Sequence, residues 1–227
     1  MARFFGLILA ATFAIPTMAV AQSERVRGTI ESVEQNSMTV QTPQGGKVKV
    51  ALTDATKYVT VVKSSLSKVA KGSFIGTATK GSGDFQVALE VVVFPPSMRG
   101  TGEGHYGWDA LPDTTLAGGG SVASSMTNGT VEAASSSGPK SNVNTTMTNG
   151  DVQAASEQGG AKSITVTYKG GKQTILVPPT TPIVAFQPAD RSAVKVGAHV
   201  FIKASEVGGK ATADQVAVGK DGLTPPM

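Results

Sequence analysis

The sequence has no cysteine, two histidines, one tryptophan and only 5% aromatic residues. Without cysteine there is no disulfide framework, no thiolate metal site and no lipid-modified cysteine behind a leader. Strong charge of one sign is missing as well: 20 Lys and Arg stand against 16 Asp and Glu. The lysines are scattered rather than gathered into a basic stripe with stacking aromatics, which argues against nucleic-acid binding. Apolar runs long enough to cross a bilayer are absent, since a spanning helix needs about 20 such residues and the one long run ends at Pro16.

That run reads as an address. Arg3 precedes the apolar stretch Phe4 to Ile15, and Pro16 leads to the small-residue pattern Ala19-Val20-Ala21. Residues 1–21 are therefore expected to be a signal peptide cleaved before Gln22, giving a periplasmic or secreted chain with no transmembrane segment. Removing 21 of the 227 residues leaves 206, room for two modules of roughly 75 residues and a connector.

What is present is repetition. Shifting the chain by about 125 positions brings Met38-Thr39-Val40 near Ile164-Thr165-Val166 and Gly45-Gly46-Lys47 onto Gly170-Gly171-Lys172. The same shift carries Val69-Ala70-Lys71-Gly72 onto Val194-Lys195-Val196-Gly197, and Ala88, Val91 and Val93 onto Ala213, Val216 and Val218. Period-two alternation around Val26, Gly28 and Ile30 predicts a half-buried strand, with further strands over 38–42, 47–52, 58–62, 73–80 and 85–94. A serine-capped helical turn is predicted over 64–69. In the second copy the strands fall at 163–168, 173–177, 183–186, 198–205 and 210–218, with a capped turn from Asp190.

The expected fold is all-β. Three strands, a short helical element and two more strands follow the order of an OB-like barrel, while an SH3-like barrel or an open β-sandwich also fits the pattern. The reading is of two tandem barrels, 22–98 and 145–227, joined by a Gly/Ser-rich connector, 99–144. A shorter repeat sits in the connector region: Met126-Thr127-Asn128-Gly129 recurs as Met147-Thr148-Asn149-Gly150, and both copies resemble the strand containing Gly28. By spacing, the Gly150 copy is assigned to the second barrel. The Met126–Ser135 copy is then a spare strand, expected to form a hairpin with its twin or to cover a barrel edge.

Residues 99–109 stand apart, because a glycine-rich loop there holds Glu103, His105, Tyr106, Trp108 and Asp109. Glycines let a backbone approach a ligand closely, the aromatic rings offer flat apolar walls, and the three polar side chains offer oxygen and nitrogen donors. These five residues are the candidate ligand-binding set. A purely structural role is open too, with Tyr106 and Trp108 plugging a barrel end or the crevice between modules. Gly100, Gly102 and Gly104 lack the lysine and helix start of a phosphate loop, and no serine sits in a nucleophile elbow. His199 aligns with Phe74 of the other module, a packing position. No catalysis, cofactor or resident metal is expected.

The stretch Ser97 to Asp109, the Met-Thr-Asn-Gly repeats and the closing Val218 to Met227 resemble a family of uncharacterised exported proteins of alphaproteobacteria. The modules also look like OB-like domains of unknown function in exported bacterial proteins. The family lends no activity; the residues lead to the expectation of a periplasmic, non-catalytic binding or structural protein whose barrel faces or glycine-aromatic loop contact a protein, glycan or small molecule. Members sometimes bear the label of a metal-transporter permease, from which this sequence departs by lacking membrane-spanning segments. The alternative that label suggests is a soluble accessory for metal handling, using Glu103, His105 and Asp109.

Overall fold

A computed structural model describes residues 23–83, 85–135, 161–207 and 209–226, and within them the chain is all-β. The strands run β1 (Ser23–Glu34), β2 (Ser37–Gln41), β3 (Lys47–Ala51), β4 (Lys57–Lys63), β5 (Phe74–Ser82) and β6 (Phe85–Val93). A connecting region carries β7 (Gly104–Gly107), β8 (Leu111–Pro112), β9 (Ser121–Val122) and β10 (Ser125–Ser135). The second half follows with β11 (Lys162–Tyr168), β12 (Gly171–Val177), β13 (Ile183–Ala189), β14 (His199–Val207) and β15 (Lys210–Gly219). Short 3-10 turns at Leu66–Lys68 and Arg191–Ala193 occupy matching places. Asp190 caps the second as expected, accepting a 2.7 Å bond from the Ser192 amide. The first has no such cap, because the Ser65 hydroxyl engages Ser67 Oγ instead.

All strands except β8 and β9 belong to one mixed sheet, and its pairing path closes on itself twice. One circuit is β1-β2-β3-β15-β14 and back to β1; the other is β10-β11-β12-β6-β5 and back to β10. Each is sealed by a short parallel join, Ala51 with Thr212 in the first and Gln86 and Val87 with Ile175 and Leu176 in the second. The expected tandem arrangement is corrected by these pairings. Strands from the first half close only with strands from the second, so the halves are exchanged. The physical cause is β4 and its counterpart β13. Each stays extended for seven residues, about 20 Å, and so carries the chain out of one circuit into the other instead of returning it.

β4 and β13 pair antiparallel at the centre, with Val61 opposite Phe186, two residues 125 positions apart. A pseudo-two-fold axis therefore passes through that pair, and small details obey it. The register shift between Ala78 and Thr79 recurs between Lys203 and Ala204, and the shift between Ile30 and Ser32 recurs between Val131 and Ala133. Thr56 Oγ1 donates to the Ala213 carbonyl while Thr181 Oγ1 donates to that of Ala88.

The Met126–Ser135 copy is not spare, which corrects the second expectation. As β10 it takes the place that β1 holds in the other circuit, pairing with β5 on one edge and with β7 and β11 on the other. Its glycine explains the motif. A Cβ on Gly129 would enter the Thr167 carbonyl, as one on Gly28 would enter that of Gln41, so at both positions the neighbouring strand folds over a missing side chain. The Gly150 copy lies outside the described residues.

Three apolar clusters result. Val26, Ile30, Met38, Val40, Ile202 and Val216 fill the first circuit; Ile75, Val91, Val131, Ile164, Val166 and Ile175 fill the second. Between the circuits lies a third cluster, built on Val61, Phe74, Leu89, Phe94, Phe186 and Phe201. Each buried Val, Ile or Phe contributes about 1.5–3 kcal/mol. Because each interior draws on both halves, neither half has a complete core of its own.

Candidate functional site

The residues singled out in the loop are placed by β7, which lies antiparallel on β10 with His105 opposite Thr127 and Tyr106 opposite Met126. This fixes where each side chain goes. Glu103 turns to the Lys169 backbone, accepting from its amide at 3.1 Å. His105 Nδ1 bonds Thr127 Oγ1 at 2.8 Å and its ring stacks on Tyr168. Tyr106 and Trp108 sit with ring centroids 6.0 Å apart, and Trp108 continues to Phe201 at 6.4 Å. Asp109 receives two guanidiniums from β1, Arg25 at 2.7 Å and Arg27 at 2.7 Å.

The structure thus brings Tyr106, Trp108 and Asp109 to one place and sends His105 elsewhere. Glu103 borders the same place while its carboxylate is engaged by Lys169. Glu103, His105 and Asp109 form no ligand cluster, and no group of three such residues able to hold a metal occurs among the described residues. His199 is half-buried and bonded to Thr29 Oγ1 at 3.0 Å. Both histidines therefore pair with threonine hydroxyls rather than with carboxylates.

The meeting place is a cavity of about 370 Å3 at the junction of the two circuits. Phe94, Phe186 and Phe201 are its buried floor, and Tyr106 and Trp108 stand at its side. Polar groups enter from Arg25, Asn128, Lys203 and Gln215. Arg25 is held twice, its guanidinium 3.8 Å from the Trp108 ring centroid as well as paired with Asp109. Arg27 lies over Phe201 in the same manner, at 4.9 Å. Such cation–π contacts are worth about 0.5–2 kcal/mol depending on desolvation, and here the first ties the loop to β1 and the second ties β1 to β14.

Asn128 is buried; its Nδ2 donates to the Gly102 carbonyl at 3.0 Å and to Tyr106 Oη at 3.1 Å. Its Oδ1 and the Trp108 Nε1 are buried without a hydrogen-bond partner among the described residues. Both atoms are closed off from solvent, Asn128 Oδ1 lying against Gly76, so the polar groups that face the cavity are those of Arg25, Lys203 and Gln215. Burial tends to raise the Asp109 carboxyl, but the guanidiniums of Arg27 and Arg25 outweigh it and hold the group below the usual value for aspartate. Burial pushes the Tyr106 phenol upward, opposed by Arg25.

Phe94, Phe186, Phe201, Arg25 and Lys203 escaped the sequence reading. A signal for some of them was there: at the repeat offset Phe201 stands where the first copy has Gly76, and Lys203 where it has Ala78. At these two positions the duplicated chain stops repeating itself, and both line the cavity.

Comparison with known proteins finds no matching family, no matching curated protein and no matching solved structure.

Proposed function

We propose that the protein is exported to the periplasm and acts there as a non-catalytic binding module, taking a small molecule into the cavity between two OB-like barrels. The strand order β1-β2-β3-β15-β14, with a parallel join between β3 and β15, supports the OB-like reading of each circuit. In this reading each barrel is completed by strands of the other half. The leader pattern of residues 1–21 supports export.

One observation carries the binding reading: an aromatic-floored cavity of about 370 Å3 with Arg25, Lys203 and Gln215 among its lining. Its size lies within the range of small-molecule sites, and its mix of apolar floor and few polar groups is theirs too. The test is native mass spectrometry of the protein purified from its own periplasm. A bound small molecule that is lost on Phe201→Ala, with the melting transition retained, supports the reading. An empty protein that also shows no ligand-induced shift of Trp108 fluorescence across a metabolite panel contradicts it.

A further inference from the structure

Resting on the binding reading, the charge around the cavity narrows the kind of ligand. Arg25 lies directly opposite Lys203 across the β1–β14 pair, Lys203 opposite Gln215 across β14–β15, and Gln215 opposite Lys57 across β15–β4. Side chains opposite one another in adjacent strands share a face, so a single row across four strands reads cation, cation, amide, cation. Directly opposed like charges destabilise a sheet by some tenths of a kcal/mol per pair. Here Asp109 answers Arg25, but Lys203 and Lys57 make no ion pair among the described residues.

The neighbouring row on the same face is Arg27, Phe201, Ala217 and Val59, apolar beyond its first member. A cationic row therefore borders an apolar one, with the cavity floor of Phe94, Phe186 and Phe201 continuing from it. Of the acidic groups nearby, Asp109 is saturated by two guanidiniums and Glu103 is engaged by the Lys169 amide. Glu103 keeps its charge at the rim, turned toward the Lys169 amide, and the Lys203 ammonium is left without a carboxylate partner beside the apolar floor.

We propose that the cavity binds an organic monoanion, its aromatic or compact apolar body on the phenylalanine floor and its carboxylate or sulfonate against Lys203 and Gln215. The Lys203 ammonium and the Gln215 amide supply donors to the anion, while Arg25, fixed by Asp109 and Trp108, adds a positive field without moving. No covalent step is involved.

Two dyes with one skeleton make the test. 8-Anilino-1-naphthalenesulfonate carries the anion, and N-phenyl-1-naphthylamine is its neutral counterpart. Trp108, the single tryptophan of the chain, lines this cavity and transfers energy to a bound dye, and loss of that transfer on Phe201→Ala assigns the signal to the cavity. The proposal expects the sulfonate to bind at least about tenfold more tightly. Lys203→Gln should weaken the sulfonate by about tenfold and leave the neutral dye within twofold, and Lys203→Arg should restore it. Raising the salt should weaken only the sulfonate. Equal binding of both dyes, or an equal response of both to Lys203→Gln, overturns the anion proposal while the binding reading stands. Absence of energy transfer to either dye overturns both.

Discussion

The pseudo-two-fold axis relates two faces that began alike and have diverged. On one face Arg25, Lys203, Phe201 and Gln215 surround an open cavity. The equivalent positions on the other are Met126, Ala78, Gly76 and Glu90, and there the connecting loop has closed down. Leu111 joins the central cluster with Met126, Ala78 and Leu89, Thr114 Oγ1 donates to the Leu89 carbonyl, and Lys80 pairs with Asp113 at 2.7 Å. Gly76 leaves room for the Asn128 amide, where its counterpart Phe201 projects a ring. One face is thus finished as a core and the other left as a cavity. Duplication followed by unequal filling separates the two faces: the circuits supply rigidity twice, and the loop covers one face with Leu111 while its Tyr106 and Trp108 only line the side of the other.

The strongest way to test that the two halves are structurally equal is at their glycines. Gly28→Ala and Gly129→Ala should each cost about 3 kcal/mol, because a Cβ at either position meets a backbone carbonyl of the adjacent strand and the pairing must open. Urea unfolding measures both. If Gly129→Ala proved neutral while Gly28→Ala was costly, β10 would not be the counterpart of β1.

Leu111→Ala addresses the covered face and should cost about 2 kcal/mol by thermal or urea unfolding. It should also open a second apolar site there, so that a neutral dye binds with stoichiometry above one. A variant that loses stability without a new site would mean that Leu111 is not the cover.

Acid sensitivity probes the cavity side through Asp109, as it would the covered side through Asp113, whose carboxyl Lys80 likewise holds low. The Asp109 carboxyl is held below its ordinary value of 3.8 in the folded protein. Its pairing with Arg25 and Arg27 therefore stabilises the fold at pH above that value and is lost as the pH falls through the lower, folded one. Asp109→Asn should melt below the wild type from neutral pH down to about pH 5, with the gap closing under about pH 4. A gap independent of pH would show that the two guanidiniums do not act through that charge.

The smallest effect belongs to the open face. Lys203→Gln should change stability by no more than about 0.5 kcal/mol, with any shift toward greater stability, since it removes a like charge opposite Arg25. A clear loss of stability would assign Lys203 to the fold and weaken its place in the site.

Local structure was legible in the residues to within a few positions. Alternation found β1, the Gly45-Gly46 and Gly170-Gly171 turns found their hairpins, and the 125-residue offset found the second copy of each strand. Partner choice was not legible. Two copies of one pattern can pair within themselves or across, and the preference is decided by whether the segment after the third strand turns back or stays extended, as β4 and β13 do. The Gly129 strand was misassigned for the same reason: spacing favoured the Gly150 copy, but proximity along the chain does not select a partner when strands are exchanged. At the site, the loop drew attention through its rare residues and supplied Tyr106, Trp108 and Asp109. The cavity floor came from phenylalanines 94, 186 and 201, which look like ordinary core residues until the exchange brings them together.

The exchange itself is tested most directly by disulfide formation, for which a cysteine-free chain gives no background. Ser23 lies opposite Ser205 across β1 and β14, whereas a tandem barrel would set Ser23 opposite Lys80, the residue 125 positions earlier. The account predicts that Ser23→Cys with Ser205→Cys closes an intramolecular disulfide in the folded monomer under mild oxidation, and that Ser23→Cys with Lys80→Cys does not. Efficient closure of the second pair with failure of the first would contradict it.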